Sequence, residues 1–396
     1  MRVVIALASS SGQLSGIPRH AINLARCLLT RSEIAEVHLV AAPWQQEFVQ
    51  DSTPHGDARL HMDSAPIGNS ALSRNLWFYT RLPKLAARLN ADIVHLAYPA
   101  PVQHRAFHCP TVVTLHDLYP YDIPENFGFP KVFFNRAVLR RCLRNVDAIA
   151  CVSHSTLSRL KSLNASIAEK ATVVYNSIEP QTLPAMETAP PELGDRPFLL
   201  CVAQHRRNKN VVLALQVFER LLRARQIAAE TRLAIVGNPG PETSAIQEYV
   251  VHAGMKNKVI LLNGISYAQL DWCYRNCRLL LAPSKIEGFG LPVAEALLAG
   301  CRVVCSDIPA FRELGSSYCH YVSLSGQEVE VFVDAVVSAL RQAAPGPIAL
   351  PQFSAPVIAE KYMQLYRSLL HFPTRNVGLK QTQVHPQAER RIPYEL

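Results

Sequence analysis

The chain has 396 residues, enough for two or three domains at ~150 residues each, which excludes a peptide or a lone small module. Hydrophobic residues make up 49% and charged residues 18%, the balance of a folding globular protein and not of a disordered one. Lys plus Arg number 40 against 31 Asp plus Glu, leaving +9; that excess suits nucleic acid, an anionic membrane surface or a phosphorylated substrate without choosing among them.

The apolar stretch from Val3 to Ala8 is shorter than the core of a secretory signal and runs into Ser and Gly, so it reads as a buried first strand. Further strands are expected at Val37–Ala41, Ile93–Leu96, Thr111–Leu115, Ala148–Val152 and Thr172–Tyr175, each followed by a turn or a helix opening. Pro180, Pro184, Pro190, Pro191 and Pro197 then crowd a stretch that can neither continue a helix nor pair as a central strand. The strand rhythm resumes at Phe198–Val202, Leu233–Val236, Val259–Leu262, Leu279–Ala282, Arg302–Cys305 and His320–Val322, and Ile358–Leu370 reads as a last amphipathic helix. The class is therefore α/β, with parallel sheets covered by helices. The expected divisions are a first domain at 1–179, a linker at 180–197, a second domain at 198–355, a closing helix at 356–371 and a disordered tail at 372–396.

No apolar run approaches the roughly 18 residues needed to cross a bilayer, so a cytoplasmic protein is expected, soluble or peripheral on the inner face of a membrane. The ten Cys contain no C-x-x-C pair, as in reduced, buried thiols, and no zinc pattern is completed. No metal site is expected.

Two α/β domains joined by a linker place the carboxyl ends of both sheets around one cleft, where such sheets bind ligands. Into that cleft the segment Pro283–Gly300 brings a strand end, a loop with Gly288 and Gly290, and a helix with Pro292 in its first turn. The glycines let the backbone approach a ligand, and the helix start is a seat for a diphosphate. Glu287 and Glu295, the latter read as lying in the first helical turn, suit ribose and sugar hydroxyls as acceptors. Taken alone they equally fit a solvated loop residue and a helix-start residue that complements the dipole. Arg206, Arg207 and Lys209 emerge from another strand end and can neutralise phosphate, or form a plain basic turn. Gly16 follows the first strand, with no G-x-G-x-x-G around it, and fits either a ligand contact or a simple turn. His116 and Asp117 end the strand Thr111–Leu115; His116 suits donation to a sugar hydroxyl, or a purely structural place.

The run from Glu287 through Gly288, Phe289, Gly290 and Leu291 to Glu295 resembles the E-x7-E motif of the retaining glycosyltransferases of family 4, which have two Rossmann-like domains in the GT-B fold. The similarity extends to about residue 370, through Ser15-Gly16, Leu115-His116-Asp117, Cys151-Val152-Ser153, Val174 to Ser177, Lys209-Asn210 and Gly264 to Leu270. The resemblance implies transfer of a hexose from a nucleotide-diphosphate sugar to an acceptor hydroxyl with retention. It also implies surface-polysaccharide or lipid-linked oligosaccharide synthesis and no cofactor; no D-x-D occurs near the cleft segments, so no obligatory metal is expected. Glu287 and His116 would act at the transferred sugar, and Glu295 would hold the ribose. Arg206, Lys209 and the backbone of Gly288, Phe289, Gly290 and Leu291 would take the diphosphate, with Gly16 opposite. The family often has Gly-Gly where Ser15-Gly16 stands and Gly-Arg where Ala203-Gln204 stands; Arg206 is expected to replace that arginine.

A nucleotide-sugar epimerase would share the fold but needs acid and base residues beside the sugar that the sequence does not reveal. A nucleic-acid-binding protein lacks support in any RNP motif, zinc-finger spacing or basic-aromatic repeat. The charge itself is local: Arg74, Arg81, Lys84 and Arg88 in residues 64–91, with Lys131, Arg136, Arg140, Arg141 and Arg144 in residues 126–146, equal the whole net excess. Both stretches have helical period. They suit solvated basic faces or contact with anionic lipid.

Overall fold

The computed structural model describes residues 1–10, 16–52, 56–178 and 189–371; the expected tail and residues 180–188 of the expected linker lie outside them. A first sheet of seven parallel strands comprises β1 (Arg2–Ala6), β2 (Glu36–Ala41), β3 (Leu60–Ser64), β4 (Ile93–Leu96), β5 (Thr111–Leu115), β6 (Ala148–Cys151) and β7 (Ala171–Val173), in the order β3-β2-β1-β4-β5-β6-β7. A second has six: β8 (Phe198–Val202), β9 (Arg232–Val236), β10 (Val259–Leu262), β11 (Leu280–Ala282), β12 (Val303–Ser306) and β13 (His320–Val322), in the order β10-β9-β8-β11-β12-β13. Both orders reverse beside their first strand, which opens a crevice at the carboxyl ends.

Each sheet is apolar on both faces because helices cover both. On β1, Val4 and Ala6 face one core with Trp77, Phe78 and Leu82, while Val3 and Ile5 face another with Ala21, Leu24 and Tyr362. The strand β3 has no counterpart in the expectations. It alternates Leu60 and Met62 inward with His61 and Asp63 outward, and one polar face on a five-residue edge strand leaves too little apolar signal to read.

The last helix, Ala355–His371, turns Ile358, Ala359, Tyr362, Met363 and Tyr366 into the first domain's core beside Ile22 and Ala25. Ion pairs Arg31–Glu360 and Arg367–Glu33 flank that seam. The second half of the expected linker is packed: Leu193 is buried in the second core, and Arg232 donates to the Glu192 and Leu193 carbonyls at 2.7 and 2.8 Å. The basic stretches form the helices Ala71–Thr80, Leu82–Arg88 and Lys131–Asn145, with Pro83 in the first turn of the second. Among the described residues, no helix is long and apolar enough to cross a membrane.

Candidate active site

After β11 the chain runs through a loop into the helix Leu291–Leu298. Gly290 has φ +105°, and a Cβ there would lie 2.8 Å from the Phe311 ring; only glycine fits. A Cβ on Gly288 would lie 1.7 Å from the backbone oxygen of His116 in the other domain. The two glycines thus serve a left-handed turn and a close approach between domains, in addition to the expected approach to a ligand. The Phe289 ring is buried against Tyr175 and Phe353, so its backbone is what remains for a ligand; Leu291 is half-buried as the first helical residue. Glu295 is the fifth residue of the helix, one residue past the first turn in which it was expected.

Two carboxylates are held differently. Glu287 accepts Lys209 Nζ at 2.6 and 2.7 Å on its two oxygens and the Tyr119 hydroxyl at 3.2 Å. Lys209, expected on the diphosphate, is therefore paired with Glu287 here. Glu295 accepts Arg19 Nη1 at 2.6 Å on one oxygen and the Tyr274 hydroxyl at 2.9 Å on the other. Arg19 comes from the helix Gly16–Leu29 of the first domain, and its guanidinium lies 4.4 Å from the Tyr267 ring centroid. Burial works to lower its pKa, but the Glu295 charge, with Tyr267 and Tyr274, holds it above the usual arginine value. Gly16 opens that helix, and among the described residues a Cβ there would meet nothing within 4 Å.

Asp117 feels the charges of Glu287 and Lys209. Burial lifts its carboxyl to about 6, opposed by a bond from the Tyr119 backbone N–H and by the charges of Lys209 and Arg206, while Glu287 adds to the rise. Arg206 thus acts from the second domain on a first-domain carboxylate, at a position where it also influences Tyr119.

His116 Nε2 lies 2.8 Å from the Ala97 carbonyl oxygen. A carbonyl only accepts, so Nε2 carries hydrogen; burial lowers the ring's pKa to about 4, which leaves Nδ1 as an acceptor. With Nε2–H given to Ala97, the nitrogen left for a ligand is Nδ1, which accepts from a sugar hydroxyl where donation was expected. Behind it runs a buried chain of bonds. Asn176 Oδ1 lies 2.8 Å from His20 Nδ1, His20 Nε2 is 2.9 Å from Thr114 Oγ1, Thr114 Oγ1 is 2.8 Å from His95 Nε2, and His95 Nδ1 is 2.6 Å from the Tyr366 hydroxyl. Burial keeps both imidazoles neutral, His95 at about 3 and His20 well below its usual value. One direction satisfies every atom: Tyr366 donates to His95, His95 to Thr114, Thr114 to His20 and His20 to Asn176. The His20 ring meets the His116 ring edge-on at 4.8 Å, so the last helix is tied to the cleft.

The domains are closed on each other. The Ser153 and Thr156 hydroxyls donate to the Gly288 carbonyl at 2.5 and 3.2 Å, and Glu313 accepts the backbone N–H groups of His154 and Ser155 at 2.8 and 3.3 Å. Beside Glu287 and Gly288 lies a cavity of about 740 Å³, lined also by Asp117, Tyr119, Arg159 and Lys285. Its lining does not include Glu295, Arg206 or Lys209. Sequence reasoning missed Arg19, Tyr119, Tyr274, His20 and His95. Only Arg19 carried a signal, three residues after Gly16 at a strand-to-helix turn.

The family model for Glycosyltransferase Family 4 matches residues 14–182, and that for glycosyl transferases group 1 matches residues 186–344. The chain is a family 4 glycosyltransferase. The transferase is 26% identical over 212 residues to the O-antigen chain mannosyltransferase RfbU of Salmonella typhimurium, a match spanning 53% of this chain and 56% of that one. It is 24% identical over 334 residues to the O-antigen chain mannosyltransferase B of Escherichia coli, spanning 79% and 84%. Its fold is the GT-B arrangement of WaaG, a glycosyltransferase involved in lipopolysaccharide biosynthesis, at TM-score 0.63 and 16% identity over 94% of this chain and 96% of that one. The Anabaena protein HepE, solved with UDP and glucose, superposes at TM-score 0.62 and 14% identity over 94% and 98%.

Proposed function

We propose that the transferase moves a hexose from a nucleotide-diphosphate sugar to an acceptor hydroxyl with retention at the anomeric carbon, in surface-polysaccharide or lipid-linked oligosaccharide synthesis. The observation that carries this reading is the placement of Glu287 and Glu295 on one loop and helix start, each hydrogen-bonded to a residue of the opposite domain. Glu295 then takes the ribose hydroxyls in place of Arg19, and Glu287 a hydroxyl of the transferred sugar. Arg206, Lys209 and the helix start at Gly288, Phe289, Gly290 and Leu291 stabilise the departing diphosphate, whose charge grows as its bond to the anomeric carbon breaks. The acceptor oxygen bonds to that carbon and its proton passes to the leaving phosphate, so no protein base is required. His116 accepts a sugar hydroxyl through Nδ1, and Gly16 faces the phosphates from the first domain. The cavity beside Glu287 has a volume within the ~300–1,000 Å³ of small-molecule sites and is assigned to the acceptor. No cofactor or metal enters these steps.

The mannosyltransferases among the relatives make GDP-mannose the first donor to test. A panel of nucleotide sugars is screened for thermal stabilisation and for nucleoside diphosphate release with a lipid-linked acceptor. Glu295→Ala should abolish the stabilisation; an unchanged shift would contradict the ribose assignment. An isomerised nucleotide sugar formed without acceptor would instead establish the epimerase, and an inverted product would remove retention.

The first domain is proposed to rest on an anionic inner membrane surface. Phe129 is 86% and Phe134 69% exposed, with Phe133, Leu72 and Leu76 also exposed among the basic residues of these helices. Arg141 bridges them by lying 5.8 Å from the Tyr79 ring centroid. Apolar wedges flanked by cations suit a headgroup boundary. Sedimentation with anionic but not neutral liposomes is expected, and equal retention by both would leave the charge to solubility.

A further inference from the structure

At the edge of the first sheet, away from the cleft, parallel register sets His38 of β2 directly beside His61 of β3, with Val40 beside Asp63. Because strand side chains alternate, Glu36 and His38 share one face with His61 and Asp63, while Val37, Leu39, Leu60 and Met62 pack on the other against the core that holds the last helix. Glu36 opens β2 and His61 is the second residue of β3, so the group lies toward the amino ends of the strands, whereas the cleft lies at the carboxyl ends. The donor atoms of Glu36, His38 and His61 all lie within 4.8 Å of one another.

The protons point to what belongs there. His38 Nδ1 is 2.9 Å from Asp63 Oδ2, and Nε2 is 3.4 Å from Glu36 Oε2. A carboxylate only accepts, so Nδ1 carries hydrogen and, in a neutral ring, the Nε2 lone pair would face a second carboxylate oxygen. A proton on Nε2 or a metal cation between the two atoms would each remove that opposition, and the 3.4 Å gap has the span of a metal-bridged pair. Asp63 meanwhile does what a carboxylate behind a ligating histidine does, fixing the tautomer and the ring. A tetrahedral ion with bonds of about 2.1 Å separates neighbouring ligands by about 3.4 Å, the separation already present between Nε2 and Oε2. The His61 ring is exposed and stacks on His38 at 4.7 Å and 21°, so turning it brings in the third donor. Arg2 Nε, 3.2 Å from Glu36 Oε2, would move to the other oxygen.

We propose that Glu36, His38 and His61 bind one divalent ion of the zinc type, with Asp63 as the positioning residue for His38 and water in the fourth place. Imidazole with carboxylate suits zinc and its neighbours in the series. The ion fastens the edge strand β3 to β2 and blunts an edge that would otherwise be open to pairing.

The test is calorimetric titration of Zn²⁺ into the full, chelator-treated chain, with Co²⁺ as a spectroscopic probe. One equivalent should bind, His61→Ala should lose it, and Asp63→Asn should weaken it about 10–100-fold. His61 is exposed, so its variant should fold, and nucleotide binding at the distant cleft serves as the control for folding. Bound Co²⁺ should show visible bands without the near-ultraviolet absorption of a thiolate ligand, which separates this site from the ten cysteines. Absence of saturable binding at micromolar Zn²⁺, binding unaltered in His61→Ala, or thiolate absorption would each overturn the proposal. So would a histidine nitrogen spectrum with both His38 nitrogens protonated at neutral pH in the presence of Zn²⁺, because a proton would then occupy the gap.

Discussion

Replacing Arg19 by Ala tests the cross-domain clasp at the centre of the cleft. The side chains of Arg19 and Glu295 are 17% and 9% exposed, and their bond is 2.6 Å long. Removing one member of a buried pair costs about 3–5 kcal/mol, because the other charge stays desolvated. Here the Tyr274 hydroxyl remains on Glu295, which lowers the cost, while the contact of Arg19 with the Tyr267 ring adds about 1 kcal/mol. The expected loss is about 3 kcal/mol, a factor of more than a hundred in equilibrium terms. Denaturant unfolding of Arg19→Ala, Glu295→Gln and the double variant isolates the pair, since contacts shared by both singles cancel in the cycle. A coupling energy of about 2 kcal/mol is expected. Small-angle scattering of Arg19→Ala should show a larger radius as the domains part. A coupling below about 0.5 kcal/mol, the range of exposed pairs, with unchanged scattering, would refute the clasp.

Asp117 carries a pH signature. Burial raises its carboxyl to about 6, above the unfolded value of about 3.9, so the folded state holds that proton more tightly. Its stabilising effect is full below pH 4 and is lost as pH rises through 6, which costs up to about 3 kcal/mol at pH 7.5. Asp117→Asn should therefore melt higher than the parent at pH 7.5 and no higher at pH 4; a lower melting temperature at pH 7.5 would show that the charge is paired. Gly288→Ala places a Cβ 1.7 Å from the His116 carbonyl oxygen, so transfer activity should fall at least tenfold while each domain's secondary structure by circular dichroism is retained. Full activity would mean that closure does not need this approach. Tyr366→Phe leaves the buried His95 Nδ1 without its 2.6 Å partner and should cost about 1–3 kcal/mol in unfolding free energy; a neutral effect would show that this bond carries no net stability.

Much of this protein could be read locally. The β-branched runs, the proline-rich break and the glycines around Glu287 mark both sheets, the join and the site loop, because strand period, turn chemistry and helix opening are properties of neighbouring residues. The strand β3 escaped because one of its faces is polar, and Glu295 falls one residue past the expected first turn because helix starts are not sharply encoded. What only the tertiary structure decided is which polar groups meet. Arg19 reaches Glu295 across 276 positions and His95 reaches Tyr366 across 271, and no local pattern separates such residues from solvated ones. Nor does spacing show that Gly288 serves the contact between domains, or that His38 and His61, 23 positions apart, stand side by side. Those pairings depend on strand register and on how one domain closes against the other, and the burial that makes them energetically important exists only once the chain is folded.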